Sequence, residues 1–151
     1  MLKKTFAFIV LILILIQFIR IDKTNPKVDE ELTLKAPSNA MTILKNACYD
    51  CHSNETKWPY YADIAPISFF VASHVKKGRK AINFSEWRNI DTKIKKQRLK
   101  RAVMTVNNGR MALPTYVYAH DEALLSSEQK KVLTDWFKNE LELIENSEVS
   151  Q

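Results

Sequence analysis

The chain has 151 residues, of which 46% are hydrophobic and 26% are charged, enough for one membrane segment and one compact domain. It carries 23 Lys and Arg against 17 Asp and Glu, a formal net charge of +6. Two glycines and five prolines are too few for the tight turns of a β-sandwich or barrel, so the composition predicts an all-α fold.

The N-terminus starts with Lys3 and Lys4 and continues as an apolar run over residues 6–19, which is typical of an export signal. As a helix the run would span about 21 Å, which is short for a hydrocarbon core of roughly 30 Å and favours a cleaved signal peptide. No small-x-small cleavage site follows where one is expected. We therefore predict that residues 1–20 form an uncleaved signal anchor or transmembrane helix; a cleaved signal and a buried core helix are the alternatives.

The remaining chain is predicted to form one domain on a linker. Residues 21–37 are polar and bounded by prolines, which predicts a linker. A helical domain is predicted over residues 38–145 from apolar residues at helical spacing, and residues 146–151 are predicted to be a frayed tail.

Two predicted helices of this domain carry specific start or stop signals. Pro66 suits the first turn of a helix, and Gly78 is predicted to end that helix. Ser126-x-x-Gln129 is the pattern of a capping box, which predicts the start of the terminal helix.

The strongest chemical signal is the run Cys48-Tyr49-Asp50-Cys51-His52. A Cys-x-x-Cys-His run is typical of a covalent attachment site for c-type haem. Two thiols on one helical turn can each add to a vinyl group of the porphyrin, and the histidine can then bind the iron. The chain has no other cysteine. The cofactor predicted from this motif is haem c, with its iron.

Other interpretations of the cysteine pair are weaker. A thioredoxin-type dithiol would need alternating strands and helices around it, which the pattern does not predict. A closed zinc site needs four ligands, and beyond His52 the chain offers only His74 and His120, which lack the His-x₃₋₅-His spacing of a finger. A structural disulfide between Cys48 and Cys51 is the last alternative.

A second axial ligand is expected on the other face of the iron, because electron carriers fill that position with Met or His. Met111 is the preferred candidate, since it lies in a predicted loop directly after a turn at Gly109. His74 is the alternative ligand. Met41, Met104 and His120 are the other candidates, although methionine is ordinarily a core residue.

Aromatic residues follow the motif closely. Trp58 and Tyr60, with Tyr61 beside them, are predicted to wall the porphyrin and to offer polar atoms to its propionates. The alternative is that these side chains pack the domain core.

Several segments together are similar to the bacterial haem-binding domain family: the motif run Cys48 to Asn54, Trp58-Pro59-Tyr60-Tyr61, Ile64-Ala65-Pro66-Ile67-Ser68 and Asn83-Phe84-Ser85-Glu86-Trp87. The order of elements also resembles the small class I cytochromes c. The resemblance implies a cytochrome c-like helical domain around a covalent haem, preceded by a short membrane segment. It further implies haem on Cys48 and Cys51, iron on His52, and Met111 as the distal ligand. Ala112 departs from the family pattern, in which proline commonly follows this methionine.

The predicted function is that of a membrane-tethered monohaem c-type cytochrome that transfers single electrons and is not an enzyme. It would sit in the bacterial inner membrane through residues 3–20, with its domain in the periplasm, where such haem is attached. The alternatives are a haem peroxidase or gas sensor with an open distal site beside His74, and a haemless interaction module.

Charge is unevenly distributed along the chain. Residues 76–101 carry eleven Lys or Arg against two acids, whereas residues 121–148 are acidic. Such a field can steer docking onto an acidic redox partner protein or an anionic membrane surface; the alternative is a solvated helix face. Nucleic acid is not an expected partner.

Overall fold

The computed structural model describes residues 1–149, and every regular element among them is a helix. The helical part of the predicted fold class is therefore confirmed. The α-helices are α1 (Leu2–Leu15), α2 (Ser38–Ala47), α3 (Tyr49–His52), α4 (Ile67–Ala81), α5 (Thr92–Asn107), α6 (Pro114–Val117) and α7 (Ser127–Val149). Short 3-10 helices cover Ile16–Phe18, Tyr60–Asp63, Phe84–Asn89 and Asp121–Ala123.

The core forms where α5 and α2 pack against α7. Leu99 on α5 and Leu133 on α7 are almost completely buried, as is Leu44 on α2. Each of these leucines lies on the apolar face of its helix. The three helices associate because these apolar faces pack against one another. Trp136 and Phe137 extend the core along α7.

Polar caps fix where the two long helices begin. The Asp91 carboxylate accepts hydrogen bonds from the backbone amides of Lys93 and Ile94 at 2.9 and 3.2 Å, which caps α5. At the start of α7, Ser126 and Gln129 exchange hydrogen bonds of 2.9 and 3.1 Å. The capping box predicted there is confirmed.

The predicted N-terminal anchor is wrong. Helix α1 has 14 residues, about 21 Å against a hydrocarbon core of roughly 30 Å. Among the described residues, no helix has both the length and the apolar character needed to cross a membrane. The transmembrane assignment of residues 1–20 is corrected accordingly. The single-pass location in the inner membrane, with a periplasmic domain held through residues 3–20, is corrected with it.

Contacts beyond α1 explain why the helix stops. The Gln17 side-chain amide donates to the Ala65 carbonyl oxygen at 2.9 Å and accepts from the Ala65 amide at 3.0 Å. Arg20 donates to the Asp63 carbonyl oxygen at 3.1 Å, and Lys23 binds the Asp63 carboxylate at 2.5 Å. The residues that would have lengthened the helix are instead tied to the loop before α4.

The segments expected outside the domain also contact it or extend it. In the predicted linker, the Leu34 amide donates to the Phe84 carbonyl at 2.7 Å, and the Leu34 side chain is buried. In the predicted tail, α7 continues to Val149, and residues 150 and 151 lie outside the described residues.

Candidate functional site

The cysteine motif occupies the short turn that follows α2. The Cys48 amide donates to the Leu44 carbonyl and the His52 amide to the Cys48 carbonyl, each at 2.9 Å. Cys51 and His52 lie on the single turn of α3. The buried face of α2 holds this turn against the core, with Ala40, Ile43, Leu44 and Ala47 as its apolar residues.

Both thiols are partly buried and free of a disulfide. Burial raises the pKa of the Cys48 thiol to about 12, with a smaller contribution from Cys51. Burial also raises the pKa of the Cys51 thiol to about 11, and the Asp50 carboxylate adds to the effect. In redox dithiols of the Cys-x-x-Cys type, the pKa of one thiol is instead lowered, so that the thiolate is populated at neutral pH. These two thiols are neutral at neutral pH, which argues against the dithiol interpretation.

The His52 ring is oriented by backbone carbonyls. Its Nδ1 lies 3.1 Å from the Ile82 carbonyl oxygen, which can only accept, so Nδ1 carries the proton and Nε2 keeps a free lone pair. Burial lowers the pKa of His52, partly opposed by hydrogen bonding to the carbonyls of Ile82 and Gly78. A neutral imidazole with a fixed tautomer is the form that binds a metal ion.

Gly78 allows α4 to approach the motif. Helix α4 continues past this residue to Ala81, so the prediction that Gly78 ends the helix is wrong. A Cβ atom at this position would lie 2.2 Å from the Cys51 carbonyl oxygen, far inside van der Waals contact. Only glycine permits the backbones of α3 and α4 to touch here.

The loop carrying Met111 leaves α5 through a left-handed residue. Gly109 has φ of 69°, and its amide donates to the Val106 carbonyl at 3.2 Å. The Met111 amide then donates back to the Thr105 carbonyl at 3.1 Å. This helix end is the type that glycine favours, and it turns Met111 back against the core.

These elements enclose a cavity of about 560 Å³, a size typical of small-molecule sites. Cys48, Cys51, His52 and Met111 all line it, so the cysteine motif and the distant Met111 loop meet there. Apolar side chains form much of the remaining wall: Ala47, Ala81, Ile82, Phe84, Ala102, Val106, Ala112, Leu113 and Phe137.

The other candidate histidines and methionines differ in their position relative to the cavity. His74 lines this cavity and an adjoining one of about 220 Å³, and no described residue forms a hydrogen bond with its ring. Met104 also lines the main cavity but is 53% exposed. Met41 packs against the core and accepts from the Tyr49 hydroxyl at 3.5 Å. The His120 ring is already bonded, at 2.8 Å to the Tyr61 hydroxyl and at 3.2 Å to the Glu122 carboxylate.

Of the aromatic residues predicted for the site, Tyr61 lines the smaller cavity, whereas Trp58 and Tyr60 lie outside both. Neither Trp58 nor Tyr60 is among the residues that line the two cavities. Tyr60 is 83% exposed, and the buried Trp58 Nε1 has no partner among the described residues. The rings that do line the main cavity belong to Phe84, Tyr116 and Phe137.

Tyr116 lies on α6, shortly after the Met111 loop, and connects this part of the chain to the motif. Its hydroxyl donates to the Asp50 carboxylate at 2.6 Å, and the same carboxylate accepts from the Lys57 amide at 2.9 Å. Burial and the hydrogen bond to Asp50 both raise the pKa of Tyr116. The phenol therefore stays protonated and remains a donor.

Replacing Tyr116 by phenylalanine is expected to lower the free energy of unfolding by about 1–2 kcal/mol, because the partly buried Asp50 carboxylate loses a charge-assisted hydrogen bond. Chemical denaturation of the full chain measures the change. Tyr118→Phe is the matched control, since Tyr118 is 92% exposed, and it should leave the stability unaltered. Equal stability of the two variants would contradict the role assigned to Tyr116.

The cavity is also lined by four cationic side chains that the sequence did not single out. They are Lys77, Arg98, Arg101 and Arg110. The sequence signal for Lys77, Arg98 and Arg101 was the excess of basic residues over 76–101, which does not reveal which side chains face inward. Arg110 lies beyond that range and had no such signal. Asp50 is the one acidic residue among the lining residues.

The residues present fit a haem. The cavity supplies two neutral thiols for thioether bonds, an imidazole with a free Nε2, a thioether on the Met111 loop, and a largely apolar wall. Cys48 and Cys51 could hold the porphyrin edge, and His52 could bind the iron.

Comparison with known proteins agrees with this geometry. The sequence model of the haem-binding domain family matches residues 11–139, which is most of the chain. No curated protein and no solved structure matches the chain. The matched region includes the motif, α4, α5, the Met111 loop and most of α7. The chain belongs to the haem-binding domain family.

Proposed function

We propose that the protein is a monohaem c-type cytochrome that carries single electrons. The observation that supports this best is the meeting of Cys48, Cys51, His52 and Met111 in one cavity. Thioether bonds from the two cysteines would hold the porphyrin. His52 Nε2 and the Met111 sulfur would occupy the two axial positions of the iron. A bound haem of this kind takes up and releases one electron at its iron.

The protein's own residues would set the conditions for that exchange. The Ile82 carbonyl fixes the tautomer and orientation of His52, which raises the basicity of a metal-bound imidazole. The apolar wall, including Phe84 and Phe137, would exclude water and so favour the less charged state of the iron centre. The proposed haem-binding unit comprises residues 38–145, with the preceding segment packed on it.

A haem stain on a denaturing gel tests the covalent part of this proposal. The full chain, made in a host that attaches haem to Cys-x-x-Cys-His motifs, should retain the stain after denaturation. The Cys48→Ser/Cys51→Ser variant is the matched control and should lose it, because no thioether can form. A wild-type protein that releases all its haem on denaturation would rule out the c-type assignment.

His74 supports a second candidate function, a haem protein with an open distal site. Its ring lines both cavities and is in edge contact with Phe70 at 4.1 Å between ring centroids. A histidine placed in this way could donate a hydrogen bond to a small ligand on the iron. This candidate requires that Met111 leave the sixth position free.

A further inference from the structure

The main cavity, in which we propose that haem binds, combines an apolar wall with a rim of cations. We call Lys77, Arg98, Arg101 and Arg110 the cationic rim. All four line the cavity. Among the described residues, none of the four forms an ion pair with a carboxylate. The one acid of the lining, Asp50, is engaged by the Tyr116 hydroxyl and the Lys57 amide.

The rim is assembled from three elements. Lys77 comes from α4, Arg110 from the turn after α5, and Arg98 and Arg101 from one face of α5, three residues apart. Arg98 donates to the Lys80 carbonyl at 3.3 Å, which orients its guanidinium and leaves its other donors free. Lys77, Arg101 and Arg110 are exposed residues, so the rim borders both the cavity and solvent.

This combination selects for a ligand with an apolar body and acidic groups at one edge. Unpaired cations beside an apolar wall attract anionic partners, and the attraction strengthens where the bound ligand excludes water. Arginine in particular binds carboxylates through two parallel hydrogen bonds. The porphyrin of haem is such a ligand, because its ring is apolar and its only charged substituents are two propionates.

We propose that the cationic rim binds the two haem propionates, with Arg98 and Arg101 as the principal partners. This inference rests on the proposed occupancy of the cavity by haem. The propionates of the porphyrin lie on the side opposite to its vinyl groups. A haem attached at Cys48 and Cys51 would therefore direct its carboxylates away from α3, and Arg98, Arg101 and Arg110 lie on other walls of the cavity.

The test compares two ligands on the haem-free full chain. Haemin carries free propionates, whereas its dimethyl ester has the same ring without the charges. In the Arg98→Gln/Arg101→Gln/Arg110→Gln variant, absorbance titration should show haemin affinity reduced by about tenfold or more, because charge-assisted pairs are lost. Affinity for the dimethyl ester should change by less than about twofold.

The matched control is Lys76→Gln/Arg88→Gln/Lys93→Gln, which removes the same charge from exposed positions outside the cavity lining. It should leave both affinities unaltered. The single Arg101→Gln variant, at an exposed side chain, shows the same ligand dependence on a smaller scale if the triple variant fails to fold.

Two results would overturn the proposal. Equal loss of affinity for haemin and its ester would mean that the rim only supports the shape of the cavity. Unaltered haemin affinity would mean that the rim serves another anionic partner, such as an acidic protein. Neither result depends on thioether bonds, so the haem stain of the native protein separates failure of the covalent assignment from failure of this one.

Discussion

Replacing Met111 by alanine is expected to lower the midpoint potential of the bound haem by roughly 0.1–0.3 V, since a thioether ligand stabilises the reduced iron. Loss of the sulfur also vacates the sixth position. The reduced variant should therefore bind carbon monoxide without denaturant, whereas the unaltered protein should not. A redox titration and a carbon monoxide difference spectrum measure the two effects.

Met104 offers a control within the same cavity. It is the other methionine of the lining, but it is 53% exposed and lies on α5 rather than on the loop. Met104→Ala should leave both the potential and the carbon monoxide response unaltered. Carbon monoxide binding by the reduced unaltered protein would instead favour the open distal site, with His74 beside the ligand.

The parts of the site that sequence reasoning reached are those with local signals. Cys48, Cys51 and His52 form one contiguous motif, and the turn before Met111 is indicated by Gly109, whose φ of 69° suits glycine. These positions depend on backbone conformations that neighbouring residues determine. Their convergence on one cavity is a finding of the structure, and their role as haem ligands stays a prediction.

Sequence patterns failed to predict the role of a residue where that role depends on tertiary contacts. Gly78 sits where a helix terminator was expected, yet its function is to admit the Cys51 carbonyl from another helix. Gln17 lies within the apolar run of residues 6–19, yet its side chain binds the Ala65 backbone across 48 positions of sequence. Neither partner can be identified from sequence spacing.

Sequence patterns also failed to predict which aromatic residues line the cavity. Tyr116 and Phe137 line the cavity although they are distant from the motif in sequence. Trp58 and Tyr60 follow the motif closely and do not line it. Proximity in sequence was a poor guide because helices α4 to α7 bring most of the wall from later parts of the chain.

Gly78→Ala is expected to lower the free energy of unfolding by about 3 kcal/mol or more, because the new methyl group overlaps a backbone atom that cannot rotate away. For a domain whose total stability is about 5–15 kcal/mol, this is a large fraction. The displaced α3 would also move the thiols and His52 relative to each other, so covalent haem yield should fall. Chemical denaturation of the full chain and haem staining per unit protein measure the two losses.

Gly109→Ala separates this steric effect from the general cost of replacing a glycine. A Cβ atom at Gly109 meets nothing within 4 Å, and only the positive φ opposes it, which should cost about 1 kcal/mol. The two substitutions add the same atoms, so the difference between them isolates the contact with Cys51. If Gly78→Ala proves no more destabilising than Gly109→Ala, α3 and α4 do not pack backbone to backbone, and the walls of the main cavity are not held as described.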